Sequence, residues 1–273
     1  MKTTDHSTAS EQLLKSGEVD SRSTAAAPRD GELLLSVIVP AYNEEKLLAG
    51  TLAALAQALH EAGFAREQWE LRVTDNASTD ATARIAAAAG ASVVHEPRRQ
   101  IARARNAGAA AACGRWLLFV DADTWPSAAL LRVARGVMTA GRYCAAGVVV
   151  SSAGAPAWVR LIIGGWNLLA RTLRLACGAF VLCRHDAFRD LGGFDEALYA
   201  GEELDLSWRL RRWGGARGLR FVIITDPALH TSLRKMELYS ARELAGTALR
   251  GLRHPYRSLR DRRFLDLWYD GRR

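Results

Sequence analysis

The stretch LLLSVIVPAYNEE, residues 33–45, places a short apolar run directly before a polar, acidic loop. Its first part, Leu33–Pro40, is rich in β-branched residues and does not alternate with polar ones, which is typical of a strand buried on both faces in a parallel sheet. Pro40 ends the run. Leucines then recur at three- and four-residue steps, which predicts an amphipathic helix over Glu44–His60.

The alternation of strand and helix continues to residue 123. We predict strands over residues 69–75, 91–96 and 115–123, with helices over Asp80–Ala89 and Arg103–Ala112 between them. This rhythm predicts an α/β fold of right-handed βαβ units on a mostly parallel central sheet flanked by helices. Further along, the pattern predicts helices over Ser127–Thr139 and Asp205–Trp213, strands over Cys144–Ser151 and Phe221–Asp226, a strand entering a short helix over Gly178–Phe188, and helices over residues 236–270.

Composition limits the class of protein. The chain has 273 residues, of which 49% are hydrophobic and 24% charged, and a mean hydropathy of −0.06. These values exclude disorder throughout and a coiled coil. The apolar region Trp158–Cys183 is interrupted by three arginines, so no run is long enough to span a membrane. The N-terminus shows no secretory signal, and we therefore expect a cytoplasmic protein, with peripheral contact at the inner face of the membrane as an option.

Three segments are predicted: a flexible leader over residues 1–32, a folded domain over residues 33–232, and a basic, amphipathic, helical C-terminal extension over residues 233–273. The net charge is 37 − 29 = +8, and the positive excess lies at the C-terminus. Such an excess can attract nucleic acid or anionic lipid, or form a solvated helix face. Because no nucleic-acid-binding signature is present, we expect no nucleic-acid partner. The four cysteines show no metal-ligand spacing, and we expect buried, reduced thiols.

Polar residues follow the predicted strands at the edge where ligands bind in an open α/β sheet. Tyr42 to Glu44 follow the first strand, Asp75 and Asn76 the second, Asp121 to Asp123 the fourth, and His230 comes after the last. The chain lacks both GxGxxG after its first strand and a P-loop motif. A bound nucleotide would therefore need another means of neutralising its phosphates.

Asp121 and Asp123 offer that means. Residues two apart in an extended strand face the same side, so both carboxylates can hold one hard cation such as Mg²⁺ or Mn²⁺ and leave positions open for phosphate oxygens. His230 is a candidate third ligand, or a structural histidine. The alternative for the two aspartates is a strand-end turn. Arg99, next to Arg98, suits phosphate but is also compatible with a solvated loop.

Glu202 and Glu203 form a second acidic set. If the helix begins at Asp205, both lie in the loop before it, near the positive end of the helix dipole, which favours their ionised forms. An ionised carboxylate beside an acceptor hydroxyl is a general base. The alternative is helix capping and first-turn charge. Both readings stay open from these residues alone.

Taken in order, SVIVPAYNEE, VTDNASTDAT, ARARNAGAAAACGRWLLFVDAD and GAFVLCRHDAFRDLGGFDEALYAGEELDLSWRL resemble the family 2 glycosyltransferases, from about Ser36 to His230. The resemblance implies a single GT-A-type domain and a divalent metal, Mg²⁺ or Mn²⁺. It implies transfer of a sugar, with inversion, from a nucleotide sugar to a hydroxyl of a glycan, lipid-linked or small-molecule acceptor. We expect a uridine diphosphate donor, with guanosine as the alternative.

The resemblance also implies roles for individual residues. Asp75 would bind the base, Asp123 would be the principal metal ligand, and Asp121 would lie nearer the ribose and the metal waters. The acidic pair of the family is Glu-Asp, whereas here it is Glu202-Glu203, so either glutamate could be the base. The residues implied to line the nucleoside pocket are Pro40, Ala41, Tyr42 and Glu44.

Two other classes of function stay open. A nucleotidyltransferase shares an α/β sheet with paired acids, but would carry a glycine-rich, basic loop where this chain has AYNEE. A non-catalytic nucleotide-sugar or glycan-binding module of the same fold would keep the pocket without turnover. The apolar, basic stretch 158–175 could border the acceptor site, rest on a membrane, or pack as a helix on the sheet.

Overall fold

An eight-stranded sheet forms the centre of the protein. The computed structural model describes residues 33–232 and 259–260. Its strands are β1 (Leu35–Ala41), β2 (Trp69–Asp75), β3 (Ser92–His95), β4 (Trp116–Val120), β5 (Thr124–Trp125), β6 (Tyr143–Val150), β7 (Phe180–Arg184) and β8 (Arg220–Thr231). They lie in the order β3-β2-β1-β4-β7-β6-β8-β5.

Helices connect most of these strands and cover the sheet. They are α1 (Leu48–Glu61), α2 (Thr82–Ala88), α3 (Ile101–Ala110), α4 (Ala128–Thr139), α5 (Ala157–Leu173), α6 (His185–Asp190) and α7 (Glu202–Gly215). The longest, α5, has 17 residues. Within the described part of the chain, every helix falls short of the length and apolarity that crossing a bilayer requires.

The pairing confirms the predicted α/β fold with a mostly parallel sheet. Strands β3, β2, β1 and β4 are parallel neighbours, and β6 is parallel to β8. Strand β7 runs antiparallel between β4 and β6. The carboxyl ends of β1, β2 and β4 therefore meet at one edge, as the sequence predicted.

The core has two layers because successive side chains of a strand point to opposite faces. Val37 and Val39 of β1 pack with the leucines of α1 and with α4, whereas Ile38 between them packs on the other face with α3, α6 and α7. On this second face Phe119 contacts two further phenylalanines, with ring centroids 5.0 and 5.2 Å away. Both faces of β1 are thus fully buried, which explains its lack of polar alternation.

Several predictions need correction. The last strand extends five residues beyond Asp226, to Thr231, where it pairs with β5. Helix α7 begins at Glu202 rather than Asp205, so both glutamates lie in its first turn. Of the four cysteines, three are buried as expected, but Cys113 is exposed. The leader and nearly all of the C-terminal extension lie outside the described residues, although residues 259–260 are helical.

Candidate active site

The loops after β1 and β2 are joined side by side at the carboxyl edge of the sheet. Ala41 and Asp75, the last residues of the two strands, are partners in register, and the Asn76 N–H donates to the Ala41 carbonyl at 2.8 Å. Beyond them, Asn43 donates its N–H to Ser78 Oγ and accepts from the Thr79 N–H through its side chain. These reciprocal hydrogen bonds connect the two loops into one rigid unit.

Asp75 is buried and already oriented. Its Oδ1 accepts the Ser78 N–H at 3.1 Å, and its Oδ2 lies 3.2 Å from His95 Nδ1. Strand β3 brings His95 to this position because the two residues are in register. A carboxylate oxygen accepts more than one hydrogen bond, so Asp75 keeps capacity for an N–H of a nucleobase. Sequence reasoning missed His95, although ASVVHE ends at the same edge.

Tyr42 and Arg99 form a stacked pair just beyond the end of β1. The Arg99 guanidinium lies 3.9 Å from the centre of the Tyr42 ring, close enough for a cation–π interaction. The phosphate role predicted for Arg99 therefore competes with this stacking. Pro40 and Ala41 are buried in the sheet, and Glu44 is buried where its N–H bonds Thr82 Oγ1 of α2 at 2.8 Å.

Asp121 and Asp123 lie in a tight turn, not in the extended strand that the sequence predicted. Strand β4 ends at Val120, and the Thr124 N–H bonds back to the Asp121 carbonyl at 3.1 Å. Thr51 of α1 donates to the Ala122 carbonyl at 2.7 Å, and this hydrogen bond anchors the turn to the helix. The two-residue alternation was therefore the wrong reason for placing these carboxylates together.

His230 lies on the strand next to this turn. It pairs with Trp125 in the β5–β8 ladder, and the Ser232 N–H bonds the Asp123 carbonyl at 3.0 Å. Even so, within residues 33–232 and 259–260 no three His, Cys, Asp or Glu side chains converge as a metal site. The aspartate oxygens suit a hard cation such as Mg²⁺ or Mn²⁺. Ligands from outside the chain, such as diphosphate oxygens, would have to complete its coordination.

A buried arginine joins the acidic turn to the acidic helix end. Arg105 of α3, 3% exposed, bonds Glu202 Oε1 at 2.6 Å, Asp121 Oδ1 at 3.1 Å and the Gly178 carbonyl at 2.9 Å. Although burial disfavours its charge, the carboxylates of Asp121 and Glu202 raise the pKa of Arg105. One guanidinium therefore positions elements that are 16 and 97 residues away in sequence.

Glu203 is the acid that Arg105 leaves unpaired. Burial, followed by the negative charge of Glu202, raises the pKa of its carboxyl to about 8. In the part of the chain that the structure describes, no salt bridge engages this side chain. The pKa of Glu203 thus lies close to physiological pH, the range in which a general base works best.

Cys177, which is buried as predicted, and the partly exposed Gly178 lie at the same place, although the sequence analysis did not assign them to the site. Burial and the nearby charge of Asp121 raise the pKa of the Cys177 thiol to about 12, so it stays protonated. Gly178 follows it, and a Cβ at this glycine would lie 3.0 Å from the Arg105 guanidinium. The motif ARARNAG could have indicated a buried ion pair of Arg105, because a charged residue on the inner face of a helix needs a buried partner.

Comparison with known proteins places these observations in a family. A sequence model described as "Glycosyl transferase family 2" matches residues 36–192. The match covers more than half of the chain and includes the loops after β1 and β2 and the Asp121–Asp123 turn. It ends before Glu202, Glu203 and His230.

Curated relatives agree but are only partly covered. A "Pre-mycofactocin glycosyltransferase" of Mycobacterium tuberculosis is 29% identical over 185 residues, 60% of this chain but 37% of the relative. An "Uncharacterized glycosyltransferase" of Mycobacterium bovis is 40% identical over 89 residues, 33% of this chain and 36% of the relative. The chain thus matches little more than a third of the length of these relatives.

Solved structures share the fold. A mannosyltransferase from Pyrobaculum calidifontis in complex with GDP-Man and Mn²⁺ has a TM-score of 0.58 at 21% identity, over 81% of this chain and 61% of that one. Glucosyl-3-phosphoglycerate synthase from Mycobacterium tuberculosis, with Mn²⁺ and UDP, has a TM-score of 0.58 at 20% identity, over 82% and 79%. The GT-A fold expected from the resemblance is confirmed.

Proposed function

The chain belongs to glycosyl transferase family 2, and we propose that it transfers a sugar, with inversion, from a nucleoside diphosphate sugar to an acceptor hydroxyl. The observation that carries the proposal is the order of groups along the carboxyl edge of the sheet. Asp75 ends β2, Tyr42 follows β1, and the acidic turn follows β4. Arg105 joins this turn to Glu202, and Glu203 is the next residue in the sequence. Base, diphosphate and acceptor would occupy this edge in that order.

The acidic turn would hold the diphosphate through a divalent cation. Asp123 would be the principal ligand, and His230 a further candidate. A bound metal would neutralise the diphosphate and stabilise it as a leaving group. Arg105 cannot replace the metal in this role, because its guanidinium is already engaged by Asp121, Glu202 and Gly178.

Glu203 is the general base in this proposal. The short ion pair with Arg105 orients the Glu202 carboxylate, so Glu202 serves to position α7 and the acidic turn. Glu203 takes the proton from the acceptor hydroxyl as the hydroxyl oxygen attacks the anomeric carbon from the side opposite the diphosphate. One displacement inverts the configuration of that carbon.

The metal assignment is tested by Asp123→Ala. We expect calorimetry to show Mn²⁺-dependent binding of UDP to the parent protein and loss of that binding in the variant. The melting temperature without ligand should not change, because this turn residue is partly exposed. Glu67→Gln, an exposed acid outside the site, is the control and should bind like the parent. Unchanged affinity in Asp123→Ala would make the turn purely structural.

The donor nucleotide is proposed to be uridine rather than guanosine diphosphate. Asp75 accepts hydrogen bonds only, and uracil N3–H matches its remaining capacity beside the Tyr42 ring. Guanine offers N1–H and an amino group, so competition between UDP and GDP with Mn²⁺ decides the question. Asp75→Asn should weaken binding of the preferred nucleotide by about 1–3 kcal/mol. Tighter binding of GDP would overturn the uridine assignment and leave the proposed glycosyl transfer standing.

Nucleotide release separates an enzyme from a binding module. Incubation with nucleotide sugars, Mn²⁺ and candidate glycan, lipid-linked or small-molecule acceptors should release free UDP in amounts that match the glycosylated product. If the protein binds the donor tightly but releases no UDP with any of the acceptors, it is a non-catalytic nucleotide-sugar-binding protein. Release of pyrophosphate in a separate incubation with a nucleoside triphosphate and a sugar phosphate would indicate a nucleotidyltransferase.

A further inference from the structure

Helix α5 presents an apolar face to solvent. It buries a narrow side made of Val159, Ile163 and Ala170, and the Asn167 amide bonds both the N–H and the carbonyl of Val150 at 2.9 Å. These contacts fix the rotation of the helix about its axis. On the outer side, large apolar residues recur at helical spacing and are 41–78% exposed; we name them the α5 stripe: Trp158, Leu161, Ile162, Leu168, Leu169 and Leu173.

So many exposed large hydrophobic residues on one helix face are unusual, both for this protein and for helices in general. Of the large hydrophobic residues exposed in the described chain, six lie on α5, and the others are Val93, Trp208 and Leu259. A contiguous apolar patch of this kind marks a site of association, whereas single exposed apolar residues do not. Of the alternatives left open for residues 158–175, packing as a helix on the sheet therefore holds for one side of α5 only.

A basic hollow adjoins the C-terminal end of the stripe. It has a volume of about 430 Å³ and is lined by Trp208 and by four arginines, Arg174, Arg211, Arg212 and Arg220. Arg211 donates to the carbonyl of Leu173, the last stripe residue, so the two features are continuous. Arg212 lies 4.7 Å from the centre of the Trp208 ring. In the described residues, none of the four arginines forms an ion pair with a carboxylate.

The sequence segment that contains α5 carries positive charges only. Residues 124–185 contain seven arginines and neither aspartate nor glutamate. Two of the seven, Arg160 and Arg171, lie on α5 to one side of the stripe, and Arg174 begins the hollow. An apolar helix face flanked by arginines is the pattern of a helix that lies in the plane of an anionic membrane surface. A protein partner would instead need an apolar groove that matches the α5 stripe and is surrounded only by acidic residues.

We propose that the α5 stripe and the basic hollow dock this protein on an anionic lipid bilayer. The stripe enters the boundary between headgroups and acyl chains, and the arginines contact lipid phosphates. The chain runs from the end of α5 through residues 174–177 to Gly178, whose carbonyl binds Arg105 of the candidate active site. Docking would therefore bring the acceptor side of that site to the membrane surface.

The experiment is sedimentation of the full chain with lipid vesicles, without donor or metal. Vesicles of phosphatidylcholine are compared with vesicles that also contain phosphatidylglycerol. We expect the partition coefficient to be at least about tenfold higher with the anionic lipid, because each basic residue near such a surface contributes about fivefold. This readout is independent of catalysis, so its failure is distinct from failure of the proposed glycosyl transfer.

Matched variants assign the binding to this surface. Leu161→Gln/Leu168→Gln should lower the partition coefficient by about tenfold, since burying apolar area drives insertion. The apolar control is Val93→Gln, on the edge strand β3, and should bind like the parent. Arg212→Glu/Arg220→Glu should abolish the preference for anionic lipid, whereas Arg84→Glu/Arg189→Glu, with the same change in charge, should keep it. All these residues are exposed, and unchanged melting temperatures would confirm that the variants fold.

Three outcomes would overturn the proposal. The first is equal binding of the parent to both kinds of vesicle, and the second is parent-like binding of Leu161→Gln/Leu168→Gln. The third comes from sedimentation velocity without vesicles. A dimer that this double variant abolishes, in a protein that does not bind vesicles, would assign the stripe to a second copy of the chain.

Discussion

At the scale of single residues, Arg105 decides how the acids of the site divide their roles. Its guanidinium pairs with Glu202 at 2.6 Å and with Asp121 at 3.1 Å, and so orients both carboxylates. Glu203, next in sequence to Glu202, faces the negative charge of that residue without a guanidinium of its own. Of two adjacent glutamates, one is thereby paired with Arg105, whereas the pKa of the other, Glu203, is raised to about 8 by burial and by the charge of Glu202.

This difference predicts the phenotype of Glu203→Gln. The amide keeps the shape of the side chain but cannot accept a proton, so donor binding should persist while the transfer rate falls by about 10²–10⁴-fold. Because the carboxyl must be ionised to act and its pKa is about 8, kcat/KM of the parent should rise with pH and level off above that value. The rate measured across pH 6–10, about two units on either side, tests the assignment.

The control is Glu202→Gln, which removes the partner of Arg105 and should lower stability as well as rate. If Glu202→Gln keeps the fold but loses the pH dependence of kcat/KM, and Glu203→Gln does not, the roles of the two glutamates are reversed. Full activity of both variants would end the general-base argument.

At the scale of elements, close packing of α3 on the sheet positions Arg105. Gly108 lies one turn beyond Arg105, and a Cβ there would meet Ile38 Cγ2 at 2.5 Å and Thr74 Oγ1 at 2.6 Å. Only glycine lets the helix approach β1 and β2 this closely. The sequence showed ARARNAG as a helical, cationic segment, but periodicity alone does not reveal which side of a helix touches a strand.

Gly108→Ala should therefore lower the free energy of unfolding by about 1–3 kcal/mol, the usual cost of overpacking a core. Gly136→Ala in α4 is the matched control, since a Cβ there meets nothing within 4 Å. Alanine is the better helix former, so this control should gain about 0.5–1 kcal/mol. Urea denaturation of both variants measures the difference, and equal effects would contradict the close approach.

At the scale of the whole molecule, the domain boundaries stay predictions. Residues 33–232 carry the sheet, its two core layers and the candidate site. The leader has no apolar periodicity, so we expect it to contribute little to stability. Deletion of residues 1–32 should leave the melting temperature nearly unchanged, as followed by circular dichroism. A large decrease would show that the leader packs on the folded domain.

Apart from the short strand β5, the sequence by itself determined the element order, the parallel start of the sheet and the edge at which the polar candidate residues lie. These follow from local patterns: β1 lacks polar alternation because both its faces are buried, and the polar residues after β1, β2 and β4 come together because parallel strands end at one edge. The end of β2 at Asp75 can be predicted from the residues on either side of it alone. Such features depend on neighbours in the chain.

Only the tertiary structure decided the chemistry of the individual acids. Asp121 and Asp123 lie in a turn anchored by Thr51, and a helix from another part of the chain places Arg105 in an ion pair with Glu202 but not with Glu203. The outward face of α5 likewise follows from contacts with β6 that no periodicity specifies. The physical reason is that burial and charge–charge distances are set by residues far apart in sequence, and both control the free energy of an ionised group.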